Sequence, residues 1–450
     1  MFDRKILSLF EAQGDSLLRK VNDGIEKNRK GDAKITLTDA KGSPLTDATV
    51  KIEQMSHEFR FGANLFMLDE LETPEKNESY KSHFTSLFNM ATLPFYWDSL
   101  EPEEGKTRYA KDSARIYRRP APDLCIEFCE KHGIEPREHA LAYESFFPKW
   151  LYDAPIDRIK DALARRYEEI SSRYADKIPT IEVTNEMLWQ KGKTAFYEDP
   201  DYVEWCFRLA DKHFPKNKLV INESTGYSWG GPCRTVDAYY AYTEALRLKG
   251  VRVDAIGLQY HMFWQREDAF KETRPYYDPD RLFAWMDLYA RFGKPLQITE
   301  VTIPSYSWEK EDEELQADIL EYLYSIWFSH PAVEQIVYWN LVDGYAHVWD
   351  PDPAVIAASQ GDMTTGENYY HGGLLRFDLS EKPAYTRLCE LIRHRWHTSG
   401  TYQTNSAGEI SFRGFFGNYD VTVIKDGKET KCEITLSKNG NGHISLSLDA

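Results

Sequence analysis

Two glutamates stand at the ends of apolar, strand-like runs that lie far apart in the chain. Glu186 ends residues 181–186 (IEVTNE), and Glu300 ends residues 296–300 (LQITE). If both runs are strands of one parallel barrel, their carboxyl groups face the same mouth, where such barrels carry catalytic residues. Paired carboxyl groups suit glycoside hydrolysis, in which one protonates the leaving oxygen and the other attacks the anomeric carbon. A charged strand end is common without catalysis, but two in these positions favour catalysis.

The elements that must position these glutamates are short β-type runs that alternate with amphipathic helical stretches. Eight such alternations predict an α/β fold, a (β/α)8 TIM barrel with long loops after the strands. A doubly wound open sheet is the alternative, although no glycine-rich phosphate turn follows any of the runs. The predicted strands are residues 59–63, 89–93, 138–142, 180–184, 218–222, 255–259, 296–299 and 335–339, and the clearest helices are residues 156–174, 236–248, 311–327 and 382–396.

The two ends of the chain have a β pattern that differs from that of the barrel. A hairpin around Gly42 resembles the first half of a transthyretin-like β-sandwich module, and the alternating strands from Gly408 onwards resemble its second half. Because a lone hairpin is marginal in water, we expect both pieces to form one sandwich. Two unrelated β appendages are the alternative. The predicted domains are an N-terminal helical segment at residues 1–32, the first part of the sandwich at 33–56, the barrel at 57–398 and the second part of the sandwich at 399–450.

Composition narrows the class of partner. The 450 residues carry a formal net charge of −17, which argues against nucleic acid or an anionic membrane surface as a partner, because both need a basic face. No apolar run approaches the roughly 18 residues of a membrane span. Aromatic residues make up 14% of the chain. They fit either a large core or a cleft whose rings pack against sugar faces, and composition alone does not decide between the two. It is the pair of glutamates that makes an oligosaccharide or β-glycoside the expected ligand.

Cysteine usage and the N-terminus bear on metals and on the cellular compartment. The cysteines are scattered without the paired spacing of a zinc site, so we expect reduced thiols, no metal and no cofactor. The apolar run near the N-terminus covers only residues 6–10, shorter than the roughly 7–15 residues of a signal peptide. This predicts a cytoplasmic protein, although a secreted chain whose leader has been removed would look the same. The cysteines are Cys125, Cys129, Cys206, Cys233, Cys389 and Cys432.

Several short motifs occur in barrel order over about residues 59–390. Taken singly each is weak, but together and at barrel spacing they are specific. On these motifs the sequence resembles glycoside hydrolase family 10, the endo-β-1,4-xylanases. The motifs are residues 100–105 (LEPEEG), 137–141 (REHAL), 185–186 (NE), 220–223 (VINE), 256–261 (IGLQYH), 337–339 (VYW) and 382–385 (KPAY).

The resemblance implies a role for each matching residue. Glu186 is the expected acid/base and Glu300 the expected nucleophile of a retaining mechanism, with their carboxyl groups about 5–5.5 Å apart. His261 is expected to keep the Glu300 carboxylate ionised, while aromatic surroundings are expected to keep Glu186 protonated. The other implied sugar contacts are Asn185 at the 2-hydroxyl, Gln259 and His139 at the cleavage point, and Trp339 as the floor.

Other positions depart from the family pattern and predict an atypical member with altered subsites for the glycone, the non-reducing part of the substrate. The family's Asn-Glu-Met-Lys segment is replaced by residues 92–97 (TLPFYW), in which Trp97 is a candidate substrate contact or a core residue. The family's Trp-His pair is replaced by Tyr143 and Glu144, of which Tyr143 is a candidate substrate contact. His347 and Trp349 compete for the place of a second tryptophan after the eighth strand.

Three functions are compatible with these residues. The leading hypothesis is a retaining β-glycosidase that hydrolyses β-1,4-xylan or xylo-oligosaccharides by double displacement. The alternative is an exo-acting or aglycone-specific β-glycosidase on short substrates, for which we expect weak action on long xylan. The third is a non-catalytic carbohydrate-binding barrel, against which the presence of both glutamates with Asn185 and His261 argues.

Overall fold

The computed structural model describes residues 2–189, 192, 194–230, 237–350 and 352–448. Cys233 and the predicted start of a helix at residue 236 lie outside these residues. The strands are β1 (Lys30–Asp39), β2 (Thr49–His57), β3 (Arg60–Asn64), β4 (Met90–Pro94), β5 (Glu135–His139), β6 (Thr180–Asn185), β7 (Lys218–Glu223), β8 (Ala255–His261), β9 (Leu296–Thr302), β10 (Val333–Tyr338), β11 (Ser399–Gln403), β12 (Glu409–Phe415), β13 (Gly417–Lys425), β14 (Lys428–Leu436) and β15 (His443–Leu448).

The α-helices lie mostly between the barrel strands. Shorter 3-10 turns cover Arg4–Leu7, Glu144–Phe146, Lys149–Leu151 and Gly366–Tyr370. The α-helices are α1 (Ser8–Arg29), α2 (Pro74–Leu87), α3 (Trp97–Leu100), α4 (Pro122–His132), α5 (Ile156–Tyr174), α6 (Ala195–Glu198), α7 (Tyr202–His213), α8 (Thr225–Ser228), α9 (Ala238–Leu248), α10 (Ala269–Thr273), α11 (Pro279–Ala290), α12 (Lys310–Ser329), α13 (Pro353–Ser359) and α14 (Pro383–Cys389).

Strands β3 to β10 form a closed barrel in which β10 pairs in parallel with β3. The predicted α/β class and the (β/α)8 barrel are therefore confirmed. The third barrel strand differs most from its prediction, because β5 begins at Glu135, which pairs with Met90, and ends at His139. The apolar residues after it still run beside β6, since the amide of Leu141 donates to the carbonyl of Glu182.

The amphipathic periodicity of the barrel helices explains how they cover the strands. The helix α5 has the bounds that the sequence predicts, and its buried residues recur three or four positions apart. They include Ile159, Leu163, Tyr167 and Ile170, which pack into the core of the barrel. Arg166, between Leu163 and Tyr167, is the polar exception: it is buried and donates to the carbonyls of Phe95, Ala140 and Leu141. The helix thus closes one side of the barrel without extending the site.

The terminal strands form two sheets with a common apolar core. One sheet has the order β12-β1-β15 and the other β11-β2-β13-β14, so N-terminal and C-terminal strands pair within both sheets. In the first sheet Ile35 faces Ile410 on one side and Ile444 on the other. Its fully buried side chain packs with Val50 and Val421 of the second sheet. The two ends of the chain thus build one sandwich, as expected, while the division into four domains stays a prediction.

The sandwich joins the barrel at the end opposite the carboxyl termini of the strands. The strand β2 ends at His57, and β3 begins at Arg60, so the chain passes from the sandwich into the amino end of the first barrel strand. The helix α1 packs along α12, and Arg29 at its end donates hydrogen bonds to the carbonyls of Phe328, His330 and Val333. A buried guanidinium saturated by carbonyls ties the sandwich to the barrel base.

The remaining sequence expectations concern thiols and membranes. Cys125, Cys129 and Cys206 are buried free thiols, and Cys389 and Cys432 are partly buried free thiols. Within the part of the chain that the structure describes, no helix combines the length and apolar character needed to cross a bilayer.

Candidate active site

The carboxyl ends of the barrel strands surround a cleft of about 620 Å³. Trp97 is the predicted site residue that does not line it. The other predicted site residues do line it: Glu186, Glu300, Asn185, His139, Gln259, His261, Trp339 and Tyr143. The barrel thus brings together side chains that lie up to about 200 positions apart in sequence, as parallel strands with a common direction must.

Glu300 lies within β9 and exposes only 4% of its surface. Asn222 Nδ2 donates to its Oε1 over 3.1 Å, and His261 Nε2 lies 3.1 Å from its Oε2. The other ring nitrogen of His261, Nδ1, lies 2.9 Å from Thr302 Oγ1. Burial lowers the pKa of His261 to about 4, so the ring is neutral and contacts Glu300 by a hydrogen bond without a countercharge.

The surroundings of Glu300 bear on the sequence prediction that His261 keeps it ionised. Burial raises the pKa of Glu300 to about 8, and the nearby carboxylates of Glu182 and Glu186 act in the same direction. Positive charges close by oppose this shift without cancelling it. Desolvation of the carboxylate thus acts against the hydrogen bonds that favour its charged form. Burial opposes the ionisation of Glu300 that the sequence analysis expects, and the ionised state stays a prediction.

Glu186 follows β6 and has a left-handed backbone conformation, with φ of 52°. Non-glycine residues seldom adopt this conformation, and strain of this kind clusters at functional sites. Tyr143 Oη donates to Glu186 Oε2 over 2.7 Å, and Gln259 Nε2 donates to Oε1 over 3.1 Å. Burial raises the pKa of Tyr143 well above its usual value, so the hydroxyl keeps its proton and remains a donor. Two fixed donors therefore orient the Glu186 carboxyl group in the cleft.

A second carboxyl group holds the backbone that follows Glu186. Glu223, at the end of β7, accepts from the amide of Leu188 over 2.9 Å and from the amide of Ser224 over 2.8 Å. Its side chain is fully buried, and burial raises its pKa to about 8. Because Glu223 does not line the cleft, it is a positioning residue for the loop after Glu186.

Asn222 connects the two halves of the site. Its Nδ2 lies 3.0 Å from Asn185 Oδ1 and 3.1 Å from Glu300 Oε1, and its Oδ1 accepts from Thr299 Oγ1 over 2.7 Å. Gln259 Nε2 also donates to Asn185 Oδ1, over 3.1 Å. Both contacts of Asn185 use its carbonyl oxygen, so its amide nitrogen is the atom left to meet a sugar hydroxyl, as the sequence predicts for this residue.

His139 is already bonded through both ring nitrogens. Its Nδ1 lies 2.8 Å from Glu182 Oε1, and its Nε2 lies 2.9 Å from Tyr96 Oη. Arg137 also donates to Glu182. Burial by itself would raise the pKa of Glu182, but His139 and Arg137 hold it below its usual value. A sugar hydroxyl can reach a nitrogen of His139 only by displacing Tyr96, so its contact with the ligand is through the ring.

His139, Glu182 and Glu300 each offer one possible ligand atom, and these atoms lie within 4.8 Å of one another. The hydrogen bonds of His139 and Glu182 account for this proximity and use the atoms that a metal would need. Glu182 has no exposed surface and does not line the cleft. It can therefore bias the protonation of Glu300 but cannot touch a substrate.

The sequence predicts both Trp339 and Trp97 as substrate contacts, and the structure places only Trp339 in the cleft. Trp339 follows β10 and lines the base of the cleft, with its ring edge-on to His139 at 5.4 Å between centroids. Trp97 is buried, and its Nε1 donates to Glu101 Oε2 over 2.9 Å. The prediction of Trp97 as a substrate contact is corrected, because the turn of α3 directs its indole into the core. The preceding residue, Tyr96, lines the cleft in its place.

Sequence reasoning missed a second wall of the cleft, made by loops. We call Tyr96, Arg118, Arg119 and Phe146 the arginine wall; all four line the cleft. The guanidinium carbon of Arg119 lies 4.0 Å from the centre of the Tyr96 ring and 5.0 Å from that of Phe146. Tyr96 lies in residues 92–97, which the sequence analysis identifies as a departure from the family pattern, but no motif marks the other three residues. For them, the dipeptide Arg118-Arg119 in a long loop is the signal that the sequence offers.

Exposed aromatic residues line the rim of the cleft. Trp189 and Trp349 expose 56% and 66% of their surface, and Trp189 lies 6.5 Å from Tyr227 between ring centroids. Large exposed rings beside a polar cleft suit the apolar faces of sugars. His347 and Trp349, which compete for one position in the sequence, both line the cleft.

Comparisons with known proteins agree with this fold. A family model described as Glycosyl hydrolase family 10 matches residues 53–390. Similar solved structures include xylanase 10B from Thermotoga petrophila in complex with xylobiose, at 21% identity over 75% of this chain and 95% of that one, with a TM-score of 0.55. An endo-1,4-β-xylanase from Caldicellulosiruptor owensensis matches at 19% identity over 74% and 97%, with a TM-score of 0.56. At these identities the structures support the fold.

Curated relatives match along nearly the whole chain. Anti-sigma-I factor RsgI6 of Acetivibrio thermocellus is 25% identical over 96% of this chain and 50% of its own length. Endo-1,4-beta-xylanase 2 of Arabidopsis thaliana is 24% identical over 98% of this chain and 37% of its own length. The chain thus spans half or less of the length of these relatives. Because the family match covers most of the chain, from the last sandwich residues to the closing helix, this protein belongs to glycosyl hydrolase family 10.

Proposed function

We propose that this protein is a retaining glycoside hydrolase that cleaves β-1,4-xylosidic bonds in xylan or xylo-oligosaccharides by double displacement. The observation that carries this proposal is the pair of carboxyl groups in one cleft, each held by its own donors. Tyr143 and Gln259 orient Glu186, while Asn222 and His261 hold Glu300. A protein that only binds sugars has no need for two carboxyl groups so positioned.

In the first step the sugar lies over Trp339, with its 2-hydroxyl at the amide of Asn185. An ionised Glu300 oxygen forms a bond to the anomeric carbon as the bond to the leaving oxygen breaks. Glu186 gives its proton to that oxygen, so the leaving part departs as an alcohol. The products of this step are a glycosyl ester on Glu300 and a carboxylate on Glu186.

In the second step a water molecule replaces the departed part. Glu186, now a base, takes a proton from the water, whose oxygen bonds to the anomeric carbon as the ester bond to Glu300 breaks. Glu186 regains its proton and Glu300 its charge. Two inversions at the same carbon leave the anomeric configuration of the product unchanged.

Two substitutions test the roles. Glu300→Ala should abolish turnover of every substrate, because no group replaces the nucleophile. Glu186→Ala should slow substrates with poor leaving groups about 10²–10⁴-fold and activated aryl glycosides far less, since only the former need protonation. Glu429→Gln, an exposed position in the sandwich, serves as a control. An NMR spectrum in which the first product has the inverted configuration would contradict this mechanism.

A second candidate is an exo-acting or aglycone-specific β-glycosidase on short substrates. The observation that favours it is the arginine wall, where Tyr96 and its neighbours stand in place of the amide and charged groups of the family's glycone segment. We expect weak depolymerisation of insoluble xylan and faster hydrolysis of short or aryl β-glycosides. Rapid fragmentation of long xylan into mixed oligomers, with little action on short substrates, would exclude this candidate.

The non-catalytic alternative is tested by the same assays. One relative is named an anti-sigma-I factor, and this name does not refer to hydrolysis. We therefore test the binding function separately. Binding of xylo-oligosaccharides by calorimetry, with no product from any β-glycoside, would support a binding barrel and refute the proposed hydrolase.

A further inference from the structure

Two buried cations lie in the cleft wall away from the paired glutamates. Arg118 and Arg119 expose 3% and 8% of their surface, and both line the cleft. Throughout residues 2–189, 194–230, 237–350 and 352–448, no carboxylate lies within ion-pair distance of either guanidinium group. The charge of Asp98 raises the pKa of Arg119 in part. The two arginines are therefore buried cations that line the cleft without forming an ion pair with one of its described carboxyl groups.

Other buried arginines of the same barrel differ in how many of their donors are paired. Arg166 donates to the carbonyls of Phe95, Ala140 and Leu141. Arg137 pairs with Glu182, but its Nε and Nη1 have no partner among the described residues. A guanidinium has five N–H donors, and leaving a buried charge unpaired is costly.

The arginine pair makes fewer hydrogen bonds than Arg166. Arg119 donates from Nη1 to the carbonyl of Arg118 over 2.9 Å. Arg118 donates from Nη1 to the carbonyl of Tyr345, while its Nε has no partner among the described residues. The Nε of Arg118 is thus a buried donor in the wall of the cleft that no described residue meets.

The surroundings of Arg119 relate it to the predicted cleavage point. The ring of Tyr96 lies between them: its face contacts the guanidinium at 4.0 Å, and its hydroxyl bonds His139 beside the paired glutamates. The Tyr96 ring therefore separates Arg119 from His139 and from the sugar that we expect to react there. A neighbouring sugar unit, or a branch on it, would come next to the guanidinium.

We propose that the arginine wall binds a sugar that carries a carboxylate, a hexuronic acid unit or branch, next to the sugar that is cleaved. This inference rests on the proposed function and specifies its substrate class. A guanidinium binds a carboxylate through two parallel hydrogen bonds, which gives both charge and orientation. Tyr96 and Phe146 supply aromatic faces for the pyranose ring of the same unit.

Charges elsewhere in the cleft restrict where such a group can bind. The carboxyl groups of Glu186 and Glu300 line the cleft at the predicted cleavage point and would disfavour an anion there. Burial lowers the pKa of Arg119 to about 10, which leaves it fully charged at neutral pH. A carboxylate is thus favoured at the arginine wall and disfavoured at the paired glutamates.

A purely structural role for Arg119 makes a different prediction. If the guanidinium only supports the Tyr96 ring by a cation–π contact, charge on the ligand would have no effect on binding or turnover. Comparing ligands that differ in charge and little else therefore separates the two roles.

The first experiment needs no substitution in the wall. One xylo-oligosaccharide is prepared with a glucuronic acid branch as the free acid, with the same branch as the methyl ester, and without the branch. We expect kcat/KM to be at least tenfold higher for the free acid than for the ester at low salt, with the ratio falling as salt is added. Equal values for acid and ester would overturn the proposal.

Binding gives a readout that is independent of turnover. Calorimetry on the Glu300→Gln variant should show the same preference for the free acid over the ester. If no form is hydrolysed by the wild type but the acid still binds more tightly, the proposed hydrolysis fails and the uronic acid site stands. If all forms are hydrolysed and bound alike, the site fails and the hydrolysis stands.

Substitutions then assign the preference to Arg119. Arg119→Gln should reduce the acid-to-ester ratio of kcat/KM to near one, and Arg119→Lys should retain part of it, because charge remains but the paired donors are lost. Arg158→Gln removes a cation from an exposed ion pair with Glu104 and should keep the ratio of the wild type. If Arg119→Gln does not fold, as judged by its melting transition, the acid-to-ester ratio of the wild type decides the question.

Discussion

The two walls of the cleft are built on different principles. In the wall formed by Asn185, Glu186, Asn222, Gln259 and Glu300, which we call the catalytic wall, polar side chains from β6 to β9 bond one another directly. In the arginine wall, the guanidinium of Arg119 stacks against the rings of Tyr96 and Phe146, which come from the segments between strands. The catalytic wall is organised before a ligand arrives, as a catalytic geometry requires. If the arginine wall binds a uronic acid as proposed, the ligand completes its hydrogen bonds, which suits a role in choosing substrates.

The largest loss of activity should come from a substitution that crowds the centre of the catalytic wall and leaves the arginine wall unchanged. A Cβ at Gly257 would lie 2.4 Å from Asn222 Oδ1 and 3.0 Å from the carbonyl of Ile221. Gly257→Ala should therefore displace Asn222 and with it both catalytic carboxyl groups. We expect kcat/KM to fall about 10²-fold, since a shift of about 1 Å in a catalytic group has an effect of that size.

A matched crowding elsewhere in the barrel separates this effect from lost stability. A Cβ at Gly62 in β3 would lie 2.9 Å from the carbonyl of Met90, away from the cleft. Gly62→Ala should lower the melting temperature like Gly257→Ala but leave kcat/KM within about threefold of the wild type. Similar activity losses in both variants would mean that the loss does not depend on the displacement of Asn222.

The next effect concerns the pH profile of the catalytic wall. The charge of Glu182 is one cause of the raised pKa of Glu300. Turnover starts from ionised Glu300, so activity appears as the pH rises through that pKa, and the acid limb of kcat/KM should lie well above the ordinary glutamate value of 4.5. Glu182→Gln removes a negative neighbour, lowers the pKa of Glu300 and should move the acid limb about one unit to lower pH.

Glu138→Gln is the control for this shift. Glu138 lies on the neighbouring strand β5, where burial raises its pKa well above the usual value, so it is neutral near pH 7 and glutamine changes little charge. The acid limb of kcat/KM for the Glu138→Gln variant should coincide with that of the wild type. An acid limb that stays in place in Glu182→Gln would mean that burial alone sets the protonation of Glu300.

A smaller effect is expected where the two walls meet. Tyr143→Phe removes the 2.7 Å hydrogen bond to Glu186 and keeps the ring. The loss of one donor to a charged group should reduce kcat/KM about tenfold, most for substrates with poor leaving groups. Tyr109→Phe removes a hydroxyl that contacts Glu169 far from the cleft and should have no such effect. Equal loss for good and poor leaving groups would show that Tyr143 binds the sugar instead of orienting the acid.

The same contrast explains which parts of the molecule the sequence could predict. Barrel strands are short, buried and followed by polar residues, so their order and the positions of Glu186 and Glu300 follow from hydrophobic pattern and motif spacing. The arginine wall comes from loops, where no periodicity constrains the backbone. Arg118 and Arg119 became candidates only when the fold placed them against the Tyr96 ring.

Two properties of the site are not encoded in adjacent sequence. Trp97 and Tyr96 are neighbours in the chain, yet only Tyr96 reaches the cleft, because the direction of α3 decides which side chain points inward. The protonation of Glu300 depends on its burial and on the carboxylate of Glu182, which comes from another strand. Motifs identify the groups that are present, whereas the surrounding fold sets their charge.

The smallest effect on activity should come from the sandwich, which lies at the other end of the barrel from both walls. Ile35 is fully buried between the two sheets, so Ile35→Ala leaves a cavity and should reduce the free energy of unfolding by about 2–5 kcal/mol. Because the sandwich meets the amino ends of the strands, kcat/KM below the melting temperature should stay within about twofold of the wild type. Ile298→Ala in β9, two residues before Glu300, should lower both stability and kcat/KM. A loss of activity in Ile35→Ala comparable to that in Ile298→Ala would mean that packing in the sandwich affects the geometry of the cleft through the barrel.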